Sequence, residues 1–444
     1  MYLHGSSRIN DKGHLEIGGC DTVELAKQYG TPLYVLDERY IRERMKALKQ
    51  AAAQSGLSMQ VAYASKALST LAICRIVDEE GLFLDVVSGG ELFTAEQAGF
   101  PSKRIYFHGN NKSIDELEMA LSMGIRLFVV DNFIEMELLE TLAREKKQIV
   151  SVLLRITPGV EAHTHAYIQT GQEDSKFGFA LTSGLAHQAA RQAHRSPYLQ
   201  LEGYHCHIGS QIFELEAFSV AIEKMAHFAY QLWNEESIPC KLFNVGGGFG
   251  IRYREDDYPP TPEAFVQTIA ANIKHSFARF PEYPEVWLEP GRYLVGEAGT
   301  TLYTIGTIKE IPGIRTYVSV DGGMTDNPRP ALYQAEYDAI LANRASESKE
   351  QLVSIAGKCC ESGDMLIWDI SLPTVKTGDL LAVGSTGAYN YSMASNYNRL
   401  RRPAMVLVSD GKAELIVERE SYEDLISHDR IPKRLKKRQS VELC

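Results

Sequence analysis

The 444-residue sequence contains no apolar run close to the roughly 20 residues that a bilayer-spanning helix needs. Residues 1–10 lack the basic segment and apolar core that are typical of a secretory signal. Cysteine is scarce: there are seven, an odd number without framework spacing, and Cys359 is directly followed by Cys360. We therefore expect a cytoplasmic protein with free thiols and no membrane attachment.

Positive charge is also in deficit, with 46 Lys and Arg against 57 Asp and Glu and a net charge of -11. Such a surface repels a phosphate backbone, so we predict no nucleic-acid partner. The basic stretch at 433–438 is the exception, and we interpret it as a solvated terminus. The chain is longer than the roughly 250 to 300 residues at which a single core stops growing, so two domains are expected.

Eight short apolar, β-branched runs recur from residue 60 onward, each followed by a helical-looking stretch rich in Ala, Leu, Glu and Lys. Continuously apolar strands separated by helices favour parallel pairing with both sheet faces covered. The pattern predicts an α/β fold, a (β/α)8 TIM-type barrel, with an open doubly wound sheet as the alternative. The predicted strands are 61–64, 83–87, 105–107, 127–130, 150–156, 201–205, 242–245 and 286–288.

After residue 299 the sequence changes to β-type runs separated by Gly, Pro and Asp. This change predicts a second, mainly β domain of barrel or sandwich type. Residues 31–35 also have the pattern of a strand, and we assign them to the same domain. The predicted organisation is therefore a barrel at 37–297 and a β-rich domain made of 1–36 and 298–444.

Polar residues cluster at the carboxyl ends of the predicted barrel strands, where barrel enzymes carry their reacting groups. Residues 246–250 and 289–292 follow the seventh and eighth strands, at positions that commonly hold a phosphate through backbone N–H groups. Lys66 follows the first strand in an uncharged segment, where an unpaired buried ammonium would be costly. Together these features indicate a phosphorylated aldehyde cofactor bound to Lys66 as a Schiff base.

Four histidines favour a competing interpretation as a metal-dependent barrel enzyme. His205 and His207 alternate on one strand and so share a face, and His163 and His165 lie upstream. A metal site does not need glycine-rich phosphate loops. We therefore interpret His207 as a flat ring stacked on a planar cofactor, and we predict no metal.

Eight motifs, in order along nearly the whole chain, resemble those of the diaminopimelate decarboxylase family. This family belongs to the alanine-racemase-like, fold-type III pyridoxal phosphate enzymes. The resemblance implies a barrel plus a β-domain in a head-to-tail homodimer with active sites at the subunit interface. It also implies the decarboxylation of meso-2,6-diaminopimelate to L-lysine and CO2, the last step of lysine biosynthesis. The motifs are residues 63–66, 108–112, 205–211, 246–250, 289–292, 329–333, 360–364 and 387–389.

The same resemblance implies how pyridoxal 5'-phosphate is held. Lys66 is the attachment point, His207 stacks on the ring, and Glu289 pairs with the ring nitrogen, which it keeps protonated so that the ring can accept electrons. Tyr389 is expected to reach the phosphate from the partner chain. The implied cofactor-binding residues are Lys66, Asp85, His207, Ser210, Gly248, Glu289, Pro290, Gly291, Arg292 and Tyr389.

For the substrate, the resemblance implies a clamp of arginines on the distal carboxylate, a task that suits the guanidinium fork. Cys360 of the neighbouring subunit is expected to return a proton, which gives Lys66, Cys360, His207 and Glu289 as the catalytic set. The implied substrate-binding residues are Arg292, Arg329, Tyr333, Glu361 and Tyr389.

Other interpretations remain at this point. The main alternative is a decarboxylase of ornithine, arginine or lysine, whose substrates offer no distal carboxylate to a clamp. A racemase or an inactive homologue is less favoured, because residues 360–364 and Lys66 are present. The chain departs from the common family pattern at Leu68, Thr325 and Asn390, and Asn390 stands where a glycine is usual.

Overall fold

The computed structural model describes residues 1–160 and 174–436. His163 and His165, which entered the metal interpretation, lie outside the described residues, as do Lys437 and Arg438 of the basic stretch. Among the residues described, no helix combines the length and the apolarity that a membrane crossing demands.

The N-terminal segment forms a small antiparallel sheet, a helix and one longer strand. Asp21 caps the helix, since its carboxylate accepts a hydrogen bond from the Val23 N–H. The elements are β1 (Arg8–Ile9), β2 (Leu15–Ile17), β3 (Cys20–Asp21), α1 (Thr22–Tyr29) and β4 (Leu33–Asp37).

Eight parallel strands then close into a barrel, which confirms the predicted fold class. Each predicted run overlaps one of these strands. The ring closes because the first strand pairs with the last, and the two-residue β10 (Phe179–Ala180) pairs with the end of the fifth. The barrel strands are β5 (Met59–Ala64), β6 (Phe83–Val86), β7 (Ile105–Phe107), β8 (Leu127–Val130), β9 (Val150–Thr157), β11 (Leu199–His205), β12 (Leu242–Asn244) and β13 (Glu285–Leu288).

Helices surround the barrel, and several begin at a polar cap that follows a strand end. The Thr70, Ser88 and Asn132 side chains each accept a hydrogen bond from the first helical turn, and Ser113 forms a reciprocal capping box with Glu116. These caps fix the point at which each loop leaves the barrel mouth. The helices are α2 (Glu38–Ala53), α3 (Leu71–Glu79), α4 (Gly89–Gln97), α5 (Ile114–Met123), α6 (Phe133–Glu145), α7 (Leu185–Arg195), α8 (Glu216–Glu236), α9 (Pro262–Ser276) and α10 (Arg292–Val295).

A layer of buried apolar side chains fills the inside of the barrel and supports the site above it. The layer consists of Ala62, Tyr106, Leu127, Val129, Leu153, Leu242 and Trp287. Because side chains two positions apart on a strand share a face, the next inward positions point into the barrel mouth. Those positions are Ala64, His108, Arg155, Asn244 and Glu289.

The rest of the chain forms a mainly β domain around a seven-strand path in the order β18-β17-β15-β14-β4-β20-β21. The N-terminal β4 lies inside this sheet, antiparallel to β14 and parallel to β20. The elements are β14 (Gly299–Ile311), β15 (Arg315–Val320), α11 (Arg329–Tyr333), β16 (Ala339–Leu341), β17 (Gln351–Ala356), β18 (Met365–Leu372), β19 (Leu380–Val383), β20 (Ala404–Ser409), β21 (Lys412–Val417) and α12 (Tyr422–Ile426).

Candidate active site

The carboxyl ends of the barrel strands enclose a cavity of about 310 Å³. This volume lies at the lower end of the range for small-molecule and cofactor sites. The cavity brings together nine of the residues that the sequence analysis singled out. They are Lys66, Asp85, His207, Ser210, Gly248, Glu289, Gly291, Arg292 and Tyr389.

Lys66 lies in a short helical turn directly after β5. Its side chain is exposed to the cavity, whereas the neighbouring Ser65 and Ala67 are buried. The Ser65 hydroxyl donates to Glu91 Oε2 at 2.7 Å, and the same oxygen accepts the Val87 N–H at 2.8 Å. The turn is therefore anchored on both sides while the lysine amine remains accessible.

Glu289 forms the floor of the cavity and accepts four side-chain hydrogen bonds. Its Oε1 accepts from Tyr106 Oη at 2.7 Å, His108 Nε2 at 2.7 Å and Asn244 Nδ2 at 2.6 Å. Its Oε2 accepts from His205 Nε2 at 3.0 Å. An ionised carboxylate is an acceptor only, so both imidazoles donate from Nε2.

Two buried carboxyl groups in this cavity have opposite protonation preferences. Burial, reinforced by the nearby Glu289 charge, raises the pKa of Asp85 well above its usual range. Burial would also raise the pKa of Glu289, but His108 and His205 outweigh it and hold that pKa well below normal. Glu289 is therefore the ionised carboxylate and Asp85 the protonated one. Groups whose pKa values are driven apart in this way mark sites of chemistry.

The glycine loop after β12 lies against His207. The Gly247 N–H donates to His207 Nδ1 at 3.1 Å, and burial and then the Lys66 charge lower the pKa of this imidazole well below 6.5. Gly246 and Gly248 have φ values of 74° and 97°, where a side chain would be strained. The loop thus presents backbone, not side chains, to the cavity.

Two arginines lie against the Tyr253 ring: Arg292, which lines the cavity, and Arg329, which does not. Arg292 donates to Ser210 Oγ at 2.8 Å and to the Tyr253 hydroxyl, and its guanidinium carbon lies 4.8 Å from the Tyr389 ring centre. Arg329 is buried, and its guanidinium carbon lies 4.7 Å from the Tyr253 ring centre. Tyr253 therefore keeps the two cationic groups close together.

The prediction that Tyr389 comes from the partner chain is wrong for this structure, because the chain's own Tyr389 lines its cavity. Residues 384–390 follow β19, which pairs with β14 and so returns the chain to the barrel mouth. There the Tyr389 N–H donates to the Ala67 carbonyl at 2.8 Å. The left-handed residue is Tyr389, at φ 65°, whereas Asn390 has φ -81° and does not need a glycine's freedom.

The remaining predicted residues do not line the cavity of their own chain. Cys360 and Glu361 lie exposed on a loop of the β-domain, where the Cys360 N–H donates to Asn398 Oδ1 at 2.7 Å. Tyr333 ends α11, one turn from Arg329. Pro290 contributes its carbonyl, which accepts the Ala64 N–H at 3.2 Å.

A metal-type cluster does occur in the described part of the chain, but not around His207. Donor atoms of His108, His205 and Glu289 all lie within 4.8 Å of one another. Both imidazoles are hydrogen-bonded to the carboxylate: His108 Nε2 donates to Glu289 Oε1, and His205 Nε2 donates to Glu289 Oε2.

Sequence reasoning gave no role to several side chains that build this site. They are Tyr106, Asn244 and Tyr253, together with Arg155, whose guanidinium carbon lies 4.3 Å from the Phe177 ring centre. Arg155 was not singled out as a site residue, and His108 entered only as the first residue of the 108–112 motif. The signal that would have found them, and Asn244, is their place two residues after an inward apolar residue.

Comparison with known proteins agrees with this geometry. Residues 38–296 match the family model "Pyridoxal-dependent decarboxylase, pyridoxal binding domain". The fold and the cavity therefore define a pyridoxal-dependent barrel decarboxylase.

Among its relatives, the diaminopimelate decarboxylase of Bacillus subtilis (strain 168) is 60% identical over 97% of this chain and 98% of its own. The Halalkalibacterium halodurans enzyme of the same name is 57% identical over the same shares of the two chains. The structure of diaminopimelate decarboxylase from M. jannaschii, in complex with L-lysine, is 40% identical with a TM-score of 0.90, covering 97% of this chain and 99% of that chain. The chain belongs to the diaminopimelate decarboxylase family, as its motifs predicted.

Proposed function

We propose that this protein removes one carboxylate from meso-2,6-diaminopimelate, forming L-lysine and CO2 as the last step of lysine biosynthesis. Pyridoxal 5'-phosphate is the cofactor. The observation that carries the proposal is the barrel-mouth cavity, in which the exposed Lys66 amine, a glycine cradle and the ionised Glu289 meet. Relatives that span nearly the full length of the chain are named for this reaction.

The phosphate end of such a cofactor fits the glycine side of the cavity. A Cβ at Gly291 would lie 3.1 Å from Ala64 Cβ and from Ala67 Cβ, so bare backbone is needed there. Arg292 Nε is buried and has no hydrogen-bond partner among the described residues. Ser210, Gly248, Gly291 and Arg292 would together supply the N–H, hydroxyl and guanidinium donors that phosphate prefers.

The ring end fits the opposite side. Glu289 is held as an anion and would pair with a protonated ring nitrogen. Asp85 carries a buried Oδ1 with no hydrogen-bond partner in the described part of the chain, and His108 Nε2 lies 3.9 Å from it. The His207 imidazole is half-buried, and its lowered pKa favours the uncharged form, which suits stacking on a planar ring. A mixed lining of this kind is what an aromatic phosphate ester needs.

When bound, pyridoxal phosphate supplies an electron sink that stabilises the negative charge left on carbon as CO2 departs. The protein's own residues have separate tasks. Lys66 provides the amine that attaches the cofactor, Glu289 maintains the ring nitrogen's proton, and the buried walls keep bulk water from the reacting carbon. Cys360 would donate the final proton to carbon through its thiol.

Substrate selection depends on the distal end of diaminopimelate, which carries both a carboxylate and an ammonium. Arg292 and Arg329 on either side of Tyr253 would bind the carboxylate, and Tyr333 and Glu361 complete the substrate-binding set with Tyr389. A buried guanidinium left without its partner is costly, so this arrangement rejects substrates that lack the distal carboxylate.

A homodimer with shared active sites accounts for the position of Cys360 and Glu361. Both are exposed on the β-domain and neither reaches the cavity of its own chain. A second copy of the chain would bring the loop over that cavity. A cytoplasmic location accompanies this proposal, since every cysteine in the described part of the chain is free, as a reducing compartment favours.

The test is to measure CO2 release from meso-diaminopimelate, ornithine, arginine and lysine side by side, with purified protein and added pyridoxal phosphate. We expect kcat/KM for CO2 release from diaminopimelate to exceed that for the other substrates by at least about 100-fold. The other substrates lack the distal carboxylate and would leave the buried guanidinium groups unpaired. Comparable release from ornithine or lysine would overturn the substrate assignment, and absence of any release would overturn the reaction.

A further inference from the structure

Asn244 connects two parts of the cavity that the proposed function treats separately. Its Nδ2 donates to Glu289 Oε1 at 2.6 Å, and its Oδ1 accepts the Gly246 N–H at 2.9 Å. The side chain is fully buried at the end of β12. One amide thus binds both the carboxylate on the cavity floor and the first residue of the glycine loop.

The two contacts use both the N–H donor and the oxygen acceptor of the Asn244 side-chain amide. An ionised aspartate could accept from Gly246 but could not donate to Glu289, and a protonated one would have to share its proton with Glu289. A leucine of similar size could do neither. Gly246 adopts φ 74° against His207, and its carbonyl accepts the Glu289 N–H at 2.9 Å. The bond from the Gly246 N–H to Asn244 is therefore a second link that fixes this residue relative to Glu289. Glu289 also has donors in Tyr106 and His108, but Asn244 is the donor that bonds the glycine loop as well.

We propose that Asn244 is a positioning residue that locks the Glu289 carboxylate and the glycine loop into one unit, so that the ring and the phosphate of the cofactor are held in a single relative orientation. This inference rests on the proposed function and deepens it. Asn244 itself acts through Glu289 and the loop. Its loss should therefore reduce cofactor affinity and disturb the protonation of the ring nitrogen.

The test uses Asn244→Asp in the full-length protein. In this variant two carboxyl groups lie side by side and share one proton, so Glu289 is no longer a dependable anion. The matched control is Asn343→Asp in the β-domain, because Asn343 also donates to a carboxylate (Asp379, 3.0 Å) and accepts a backbone N–H (Leu380, 3.0 Å). The readouts are the dissociation constant for pyridoxal phosphate and the pH dependence of the bound cofactor's visible absorbance.

We expect Asn244→Asp to raise the dissociation constant about 10- to 100-fold, the effect of losing a hydrogen bond to a charged group. The midpoint of the absorbance change with pH should shift, whereas Asn343→Asp should leave both quantities within about twofold of the parent. Equal changes in the two variants, or none in Asn244→Asp, would overturn the inference.

Asn244→Ser, which keeps a short hydroxyl, is the second variant if Asn244→Asp does not fold. It should lose affinity in the same direction. If neither variant folds, Asn244 has a structural role and the inference fails. A parent protein that binds no pyridoxal phosphate would instead overturn the proposed function, so the two failures are distinguishable.

Discussion

The floor of the cavity and the loop that carries Cys360 are built in opposite ways. On the floor, both Glu289 oxygens are hydrogen-bonded to side chains of the same chain, and every partner is buried. In the loop, the backbone is fixed, because the buried Asp364 accepts the Met324 and Cys359 N–H groups at 2.6 and 2.7 Å and the Cys360 N–H donates to Asn398. The Cys360 and Glu361 side chains remain exposed. The floor of the cavity is thus completed within one chain, whereas the loop leaves the Cys360 and Glu361 side chains exposed, as the proposed shared active site requires.

The largest effect is expected from removing the reactive amine on the floor side. Lys66→Ala should lower turnover by at least about 10⁴-fold, as loss of a group that acts within a catalytic unit does. It should also abolish the visible absorbance that borohydride reduction removes from the parent protein. Lys103→Ala, an exposed lysine away from the cavity, is the control and should retain both. A Lys66→Ala protein that keeps the borohydride-sensitive band would contradict the attachment point.

The loop side is tested by Cys360→Ala. Loss of a proton donor should slow turnover about 10²- to 10⁴-fold while the cofactor remains bound with its colour unchanged. Cys359→Ser is the neighbouring control, since Cys359 is only partly exposed and its N–H is bound to Asp364. Unchanged turnover in Cys360→Ala would remove the proton-donor assignment.

Mixing the two inactive variants tests directly whether the Cys360 loop of one chain serves the cavity of another chain. If the loop serves the partner's cavity, subunit exchange between Lys66→Ala and Cys360→Ala should restore activity at roughly a quarter of the sites, because one site of each mixed dimer has both groups intact. Restoration should require time for exchange. A mixture that stays inactive, despite exchange shown by differently tagged chains, would place Cys360 in its own chain's reaction.

A smaller effect is expected at Arg329, which shares the Tyr253 ring with the cavity-lining Arg292. Arg329→Lys removes the planar fork but keeps the charge, and it should raise KM for diaminopimelate about 10- to 100-fold. Binding of L-lysine, which has one carboxylate, should change less than about twofold. Arg315→Lys on the β-domain is the control. Equal weakening of both ligands would contradict the assignment of Arg329 to the distal carboxylate.

The smallest effect is expected from a change of pH, which acts on the stability of the protein through His205 on the cavity floor. Burial lowers the pKa of His205 from 6.5 to about 4. Between these values the unfolded chain holds a proton that the folded chain does not, so the folded state loses stability as the pH falls. Lowering the pH from roughly 7 to roughly 5.5 should cost the parent about 1 kcal/mol more than His205→Gln, as measured by urea unfolding. A difference that is constant with pH would argue that His205 is charged when folded.

The barrel was predictable from the sequence because each strand is apolar throughout and each is followed by an amphipathic helix. Runs such as 105–107 and 127–130 coincide with β7 and β8 residue for residue. The β-domain was predicted only in outline. The sequence analysis did not identify β14 as a strand, since its second half, beyond Ile305, is largely exposed and polar and carries no continuous apolar signal.

The site was predictable where a residue belongs to a motif and not where its role depends on neighbours from other strands. Lys66, His207 and Glu289 were found in this way, and all three line the cavity. The bond of Asn244 to Glu289 joins residues 45 positions apart, and the placement of Tyr253 between two arginines depends on the β-domain packing against the barrel. Neither contact can be predicted from a local sequence pattern. Tyr389 was assigned to the wrong chain because no local sequence pattern shows that the segment after β19 returns to the barrel mouth.

The Ala67 carbonyl accepts hydrogen bonds from both the Tyr389 N–H and the Ser392 hydroxyl. These two hydrogen bonds attach the β-domain to the residue next to Lys66. Laboratory evolution that lengthens or shortens the 384–392 segment would therefore disturb the reactive amine along with the pocket.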